Sequence, residues 1–173
     1  MQDDRTAVQG LMTDSTIDSY VGKELPQMTL ESSAGGHVKI PENLLGKWTL
    51  IYFYPKDDTP GCTKQACSYR DSMADFKKLG VQVYGVSTDD LHSHDAFIKK
   101  FNLNFPLLAD TNHTLGEALG TFEDRNILSR LLKMTSRDSF LIGPDAKVRE
   151  VWRKVSPAVT MSETFEAVQK HLT

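Results

Sequence analysis

The sequence predicts a mixed α/β domain: a central sheet flanked by helices, with a β-hairpin extension at its N-terminal side. Three observations predict it. Strand-length apolar runs at residues 48–54, 81–87 and 105–110 alternate with segments whose apolar residues recur in steps of three and four, which implies right-handed βαβ crossovers and a parallel core. Near each end, two short β-rich stretches flank a turn signal and add antiparallel strands. The chain has 173 residues and is 39% hydrophobic, enough for one globular core.

The elements follow in order. Residues 1–18 are polar and aperiodic and read as an arm, leaving residues 19–173 as a single domain. Residues 24–44 hold two short strands around the turn signal Ala34, Gly35, Gly36. Residues 48–54, WTLIYFY, form a continuous apolar run, as in a strand buried on both faces. From Pro60 to Leu79 the residues Ala66, Tyr69, Met73 and Phe76 mark one helical face, and Gly80 closes the helix. Residues 81–87 read as a second strand. Residues 89–103 read as a helix capped by Asp89 or Asp90, 105–110 as a third strand and 113–122 as a short helix. A helical piece is expected near residues 127–133. Residues 139–155 form a hairpin turning at Gly143, Pro144 and Asp145, and residues 162–172 a closing amphipathic helix. A mixed sheet covered on both faces, of the thioredoxin type, is the simplest architecture that uses all these pieces.

The connector PKDDTPGC, residues 55–62, carries the chemistry. Thr59 suits an N-cap and Pro60 the first helical position, which places Cys62 in the first turn. There the free backbone N–H groups and the positive end of the helix dipole favour a thiolate, the reactive form of cysteine. Asp57 and Asp58 would act against it if they lie close, so a further cation would help. Position alone leaves two readings open: a reactive thiol at the carboxyl end of a strand, or a small buried hydrophobe.

The motif decides between them by resemblance. Residues 55–62 match the Pro-x-x-x-Thr-x-x-Cys signature of peroxiredoxins, and FYPKDDTPGCTKQAC resembles their bacterioferritin-comigratory, or PrxQ, branch. The likeness runs over roughly residues 20–172 and includes GVSTDD, FPLLAD and RDSFLIGPDAKV. The resemblance implies a thioredoxin-like fold and thiol-dependent reduction of hydrogen peroxide and organic hydroperoxides. It implies Cys62 as the peroxidatic cysteine, Cys67 as the resolving one in an intramolecular disulfide, and Thr59, Pro55 and Arg137 around the pocket. It also implies recycling by a thioredoxin or glutaredoxin-type reductant, a monomer, and chemistry that needs no metal or other cofactor. Two residues depart from the pattern. Asp138 stands where the family more often has Ser or Thr, and Gly143 replaces an aspartate. Strand alternation is expected to turn Asp138 away from Arg137.

Other candidates weigh less. His92, His94 and His113 invite a metal reading, but His-x-His on a helix splays the two rings and no acid or cysteine cluster completes a site, so solvated histidines are expected. Arg125, Arg130 and Lys133 read as an exposed helix face, and Trp48 and Trp152 as packing residues. A Cys-x-x-x-x-Cys spacing is not the Cys-x-x-Cys of thioredoxin-like disulfide oxidoreductases, which remain the alternative enzyme; a non-enzymatic redox sensor is the other alternative. A net charge of −3 gives no reason to expect nucleic acid or a membrane surface as partner. The N-terminal residues lack a signal-peptide pattern, so the cytoplasm is the expected compartment.

Overall fold

The computed structural model describes residues 18–122 and 134–172. The elements run β1 (Met28–Ser32), β2 (His37–Ile40), β3 (Trp48–Phe53), α1 (Pro60–Lys78), β4 (Val81–Ser87), α2 (Leu91–Phe101), β5 (Leu107–Ala109), α3 (Thr114–Ala118), β6 (Ser139–Ile142), β7 (Val148–Trp152) and α4 (Thr160–Leu172). Seven strands form one sheet in the order β2-β1-β5-β4-β3-β6-β7. The β3, β4 and β5 pairings are parallel, and the two hairpins and their junctions are antiparallel. This is the mixed, thioredoxin-like α/β architecture that the alternating elements predict. The third strand is shorter than its apolar run, and the helical piece expected near residues 127–133 lies outside the described residues.

Strand alternation divides β3 between two cores. Ile51 and Phe53 pack with Phe140, Val86 and Leu115 on one face. Leu50, Tyr52 and Tyr54 pack with α1 on the other, where Cys62, Ala66, Tyr69, Met73 and Phe76 form the buried stripe. Helix α4 closes that face. Phe165 meets Phe76 edge-on at 5.1 Å, and the Tyr69 and Thr164 hydroxyls lie 2.8 Å apart. Each wholly buried aromatic of this kind contributes about 1.5–3 kcal/mol, so α1 is anchored mainly through its middle and C-terminal turns. Gly85 of β4 faces the Tyr52 ring across the sheet. A Cβ there would sit 2.7 Å from Leu107 Cδ2 and 2.9 Å from the Tyr52 hydroxyl, so only glycine lets that ring lie flat. Trp48 and Trp152 are partly buried packing residues, as expected. Among the described residues, no helix is long and apolar enough to cross a membrane.

Candidate active site

β3 ends at Phe53 and α1 begins at Pro60, so the connector delivers Cys62 at the carboxyl end of a central strand. Pro60 fills the first helical position and Thr59 the N-cap, as expected. The Thr59 side chain does not cap, however. Its hydroxyl donates to the Lys56 carbonyl at 2.9 Å, closing a turn within the connector, while the Thr59 carbonyl accepts from Thr63 N–H at 2.8 Å. The first N–H groups of α1 therefore have no side-chain cap from Thr59. Asp58 adopts a left-handed conformation with φ of 56°, which an aspartate tolerates better than most residues.

Cys62 is buried and Cys67 half-buried, and both are free thiols. Arg137 reaches the sulfur from the segment before β6, with Nη1 3.4 Å from Cys62 Sγ. The same nitrogen donates to Gln65 Oε1 at 2.8 Å, one turn along α1. Gly61 makes the approach possible: a Cβ there would lie 3.1 Å from Arg137 Nη2. Gln65 is wholly buried, and its Nε2 has no hydrogen-bond partner among the described residues, which leaves the amide NH2 unused beside Arg137. Sequence reasoning missed Gln65. Its place one turn after Cys62, on the helix face of Ala66 and Tyr69, was the available signal.

Pro55 and Arg137 line a cavity of about 290 Å³ with Met134, Thr135, Ser136, Lys154 and Val155. Its wall is tied to the connector, since Thr135 Oγ1 donates to the Tyr54 carbonyl at 3.0 Å. The structure thus brings Cys62, Arg137 and Pro55 to one end of the sheet. Thr59 sits on the connector beside them and Cys67 on the same helix, more than a turn beyond Cys62. Asp138 turns away from Arg137, as alternation predicts. Its carboxylate accepts from Arg153 Nη1 at 3.0 Å and from Lys154 N–H at 2.9 Å. At Gly143, the other departure, the Arg149 guanidinium that pairs with Asp145 occupies the space a Cβ would take, 2.5 Å from Nε.

The histidine expectation needs correction. His92 is exposed, but His94 is wholly buried, with Nδ1 2.7 Å from Asp57 Oδ2 and Nε2 2.9 Å from the Leu108 carbonyl. His94, Phe97, Ile98 and Phe101 follow the steps of a buried helical stripe, and that periodicity was the missed signal. Asp57 is buried with it. Arg125, Arg130 and Lys133 lie outside the described residues.

Comparison with known proteins decides the family. Residues 21–151 match the model of the AhpC/TSA family. The chain belongs to this family of thiol peroxidases. Its relatives lie in the Bcp/PrxQ branch of the peroxiredoxins. A putative peroxiredoxin Bcp of Coxiella burnetii is 42% identical over 135 residues, 78% of this chain and 89% of that protein. A peroxiredoxin Bcp of Bacillus subtilis is 35% identical over 149 residues, 86% of this chain and 94% of that one. A solved structure of Xanthomonas campestris peroxiredoxin Q superposes with a TM-score of 0.81 at 32% identity, covering 90% of this chain and all of that one. A trapped intermediate/ligand complex of the Xanthomonas campestris bacterioferritin comigratory protein, described for its alkyl peroxide reduction activity, gives 0.79 at 32% identity and covers 84% of this chain and 92% of its own. Peroxiredoxin membership favours a peroxidase over a disulfide oxidoreductase or a sensor.

Proposed function

We propose that this peroxiredoxin reduces hydrogen peroxide and organic hydroperoxides with Cys62 as the nucleophile and Cys67 as the resolving thiol. The observation that carries the assignment is the Arg137 guanidinium 3.4 Å from a sulfur in the first turn of α1. A fixed cation and uncapped helix N–H groups favour the thiolate. The thiolate attacks one peroxide oxygen, an S–O bond forms, the O–O bond breaks, and the electron pair leaves on the other oxygen as hydroxide or alkoxide. Negative charge moves from sulfur towards that leaving oxygen. Arg137, with its planar fork of donors, stabilises charge along the path, and the Gln65 amide is a further donor; the Thr59 hydroxyl joins them once it turns from the Lys56 carbonyl to the peroxide. Pro55 shields the thiolate at the cavity wall.

The sulfenic acid then condenses with the Cys67 thiol, releasing water and forming a disulfide. A thioredoxin or glutaredoxin-type dithiol reduces it. The protein acts as a monomer in the cytoplasm. The test is peroxide consumption coupled to such a reductant. Cys62→Ser abolishes turnover, because a hydroxyl is a far poorer nucleophile at neutral pH. Cys67→Ser still takes up one oxygen on Cys62, read by mass spectrometry. Substantial turnover in Cys62→Ser would overturn the assignment.

A further inference from the structure

Helix α2 holds two basic side chains against the connector that delivers Cys62. Lys100 Nζ lies 2.8 Å from Asp58 Oδ2 on the exposed side. His94 meets Asp57 on the buried side, and its ring is engaged at both ends. The Leu108 carbonyl can only accept, so Nε2 carries a proton. Nδ1 and Asp57 Oδ2 then share a second proton at 2.7 Å, and the pair as a whole is neutral.

Every element packed around Asp57 contributes a contact. From the residue just after β3, the Tyr54 hydroxyl donates to Oδ1 at 2.6 Å; burial first, then the Asp57 charge, push this phenol far up and keep it a donor. From α2, Ser93 Oγ donates to Oδ2 at 2.8 Å. From the loop after β4, the Asp89 carboxylate accepts the Asp57 N–H at 2.8 Å and also takes the Ser87 hydroxyl at 2.8 Å. From β5, the Leu108 carbonyl takes the far end of His94. Asp57 stands on the connector that leads into α1 and Cys62 in the first turn of that helix, so what holds Asp57 also holds the approach to the sulfur. Burying an ionisable pair costs desolvation free energy that packing alone would avoid.

We propose that Asp57 and His94 together are positioning residues for the Cys62 thiolate. Asp57 ties the lead-in to α1 onto β3 and α2, and His94 cancels the carboxylate that does the tying. The field of Arg137 at sulfur is then not opposed by the charge of Asp57. This inference rests on Cys62 being the peroxide-reactive sulfur.

The test uses the full chain with Cys67→Ser, adding His94→Gln, Asp57→Asn, or both. Thiolate absorbance against pH, the second-order rate with hydrogen peroxide, and thermal melting are measured on each. His94→Gln leaves the Asp57 carboxylate unpaired, which moves the Cys62 titration of the variant to higher pH than that of the parent and slows oxidation near neutral pH on the order of tenfold, the scale of one nearby like charge. The double variant, which has neither charge, recovers both readouts to within about threefold, although its melting temperature stays lower. Stability and reactivity therefore part company, which a packing role would not produce. A parent-like titration and rate in His94→Gln, or a double variant as impaired as His94→Gln, overturns the proposal. Should His94→Gln fail to fold, the double variant decides: a parent-like titration supports charge cancellation and a shifted one refutes it. A parent protein whose Cys62 titrates but does not react with peroxide refutes the proposed function instead, and leaves the titration comparison readable.

Discussion

Arg137→Met separates the chemistry at sulfur from the fold. Methionine keeps an unbranched side chain of comparable reach and removes the charge and the donors. At the observed 3.4 Å, a unit charge pair is worth about 5 kcal/mol at an effective dielectric of 20 and about 1 kcal/mol in bulk water. Arg137 is half-buried, so the working value falls between those limits. Removing one preorganised donor of this kind typically costs about 10²–10³ in rate, or about 2.7–4 kcal/mol, which lies inside the same interval. The expected loss is therefore about 10²–10³ in the second-order rate of Cys62 oxidation. The assay is stopped-flow mixing of reduced protein with excess hydrogen peroxide in a Cys67→Ser background, with trapped sulfenic acid counted by mass. Arg137→Lys falls between: it retains a point charge, yet a flexible, strongly hydrated ammonium does not reproduce the planar guanidinium whose Nη1 meets both Cys62 and Gln65. Circular dichroism should show an intact fold in both, because β6 begins only at Ser139. A rate for Arg137→Met within about threefold of the parent would show that the guanidinium does not act on the reacting sulfur.

Two further outcomes follow from the geometry. In an intact helix, Cys62 and Cys67 have Cα atoms roughly 8–9 Å apart and ~140° around the axis, whereas a disulfide needs about 4.4–6.8 Å. Oxidation should therefore unwind residues 60–68. It should stop near Arg70, whose Nη1 donates to the Phe101 carbonyl at 2.7 Å and whose carbonyl accepts from Asn104 at 3.1 Å. Hydrogen exchange should show lost protection over 60–68 and retained protection beyond 70; equal protection in both redox states, with the disulfide confirmed by mass, would refute gating by local unfolding. At Asp18, burial pushes the carboxyl up, but the hydrogen bonds of Arg153 and Tyr20 N–H and the charges of Arg153 and Lys23 outweigh it and hold the group below its ordinary value. Such a group stabilises the fold above the ordinary carboxylate range, and that contribution is lost as pH falls through the lower, folded value. Asp18→Asn should then lower the melting temperature at neutral pH by a few degrees, about 1 kcal/mol, and the two melting curves should converge in acid. A difference independent of pH would contradict the pairing.

The sequence by itself determined the elements and the place of Cys62, the proposed nucleophile, at a helix start. Apolar runs, steps of three and four residues and turn signals are local properties, so the central strands, the face of α1 and both hairpins could be read directly. Thr59 and Pro60 marked the helix start, and with it the first-turn position of Cys62. Tertiary structure decided what surrounds the sulfur. Arg137 lies 3.4 Å from the sulfur of a residue 75 positions away, and the pairing of β3 with β6 brings it there. Gln65 looked like one more polar helix residue until the guanidinium claimed its carbonyl oxygen. His94 looked solvated because its partners are distant in sequence, at Asp57 and Leu108. Asp57 looked like a charge opposing the thiolate for the same reason. Whether a carboxylate hinders or helps depends on the cation beside it. Chain order does not specify that neighbour; here the packing of α2 against the connector and β5 supplies it.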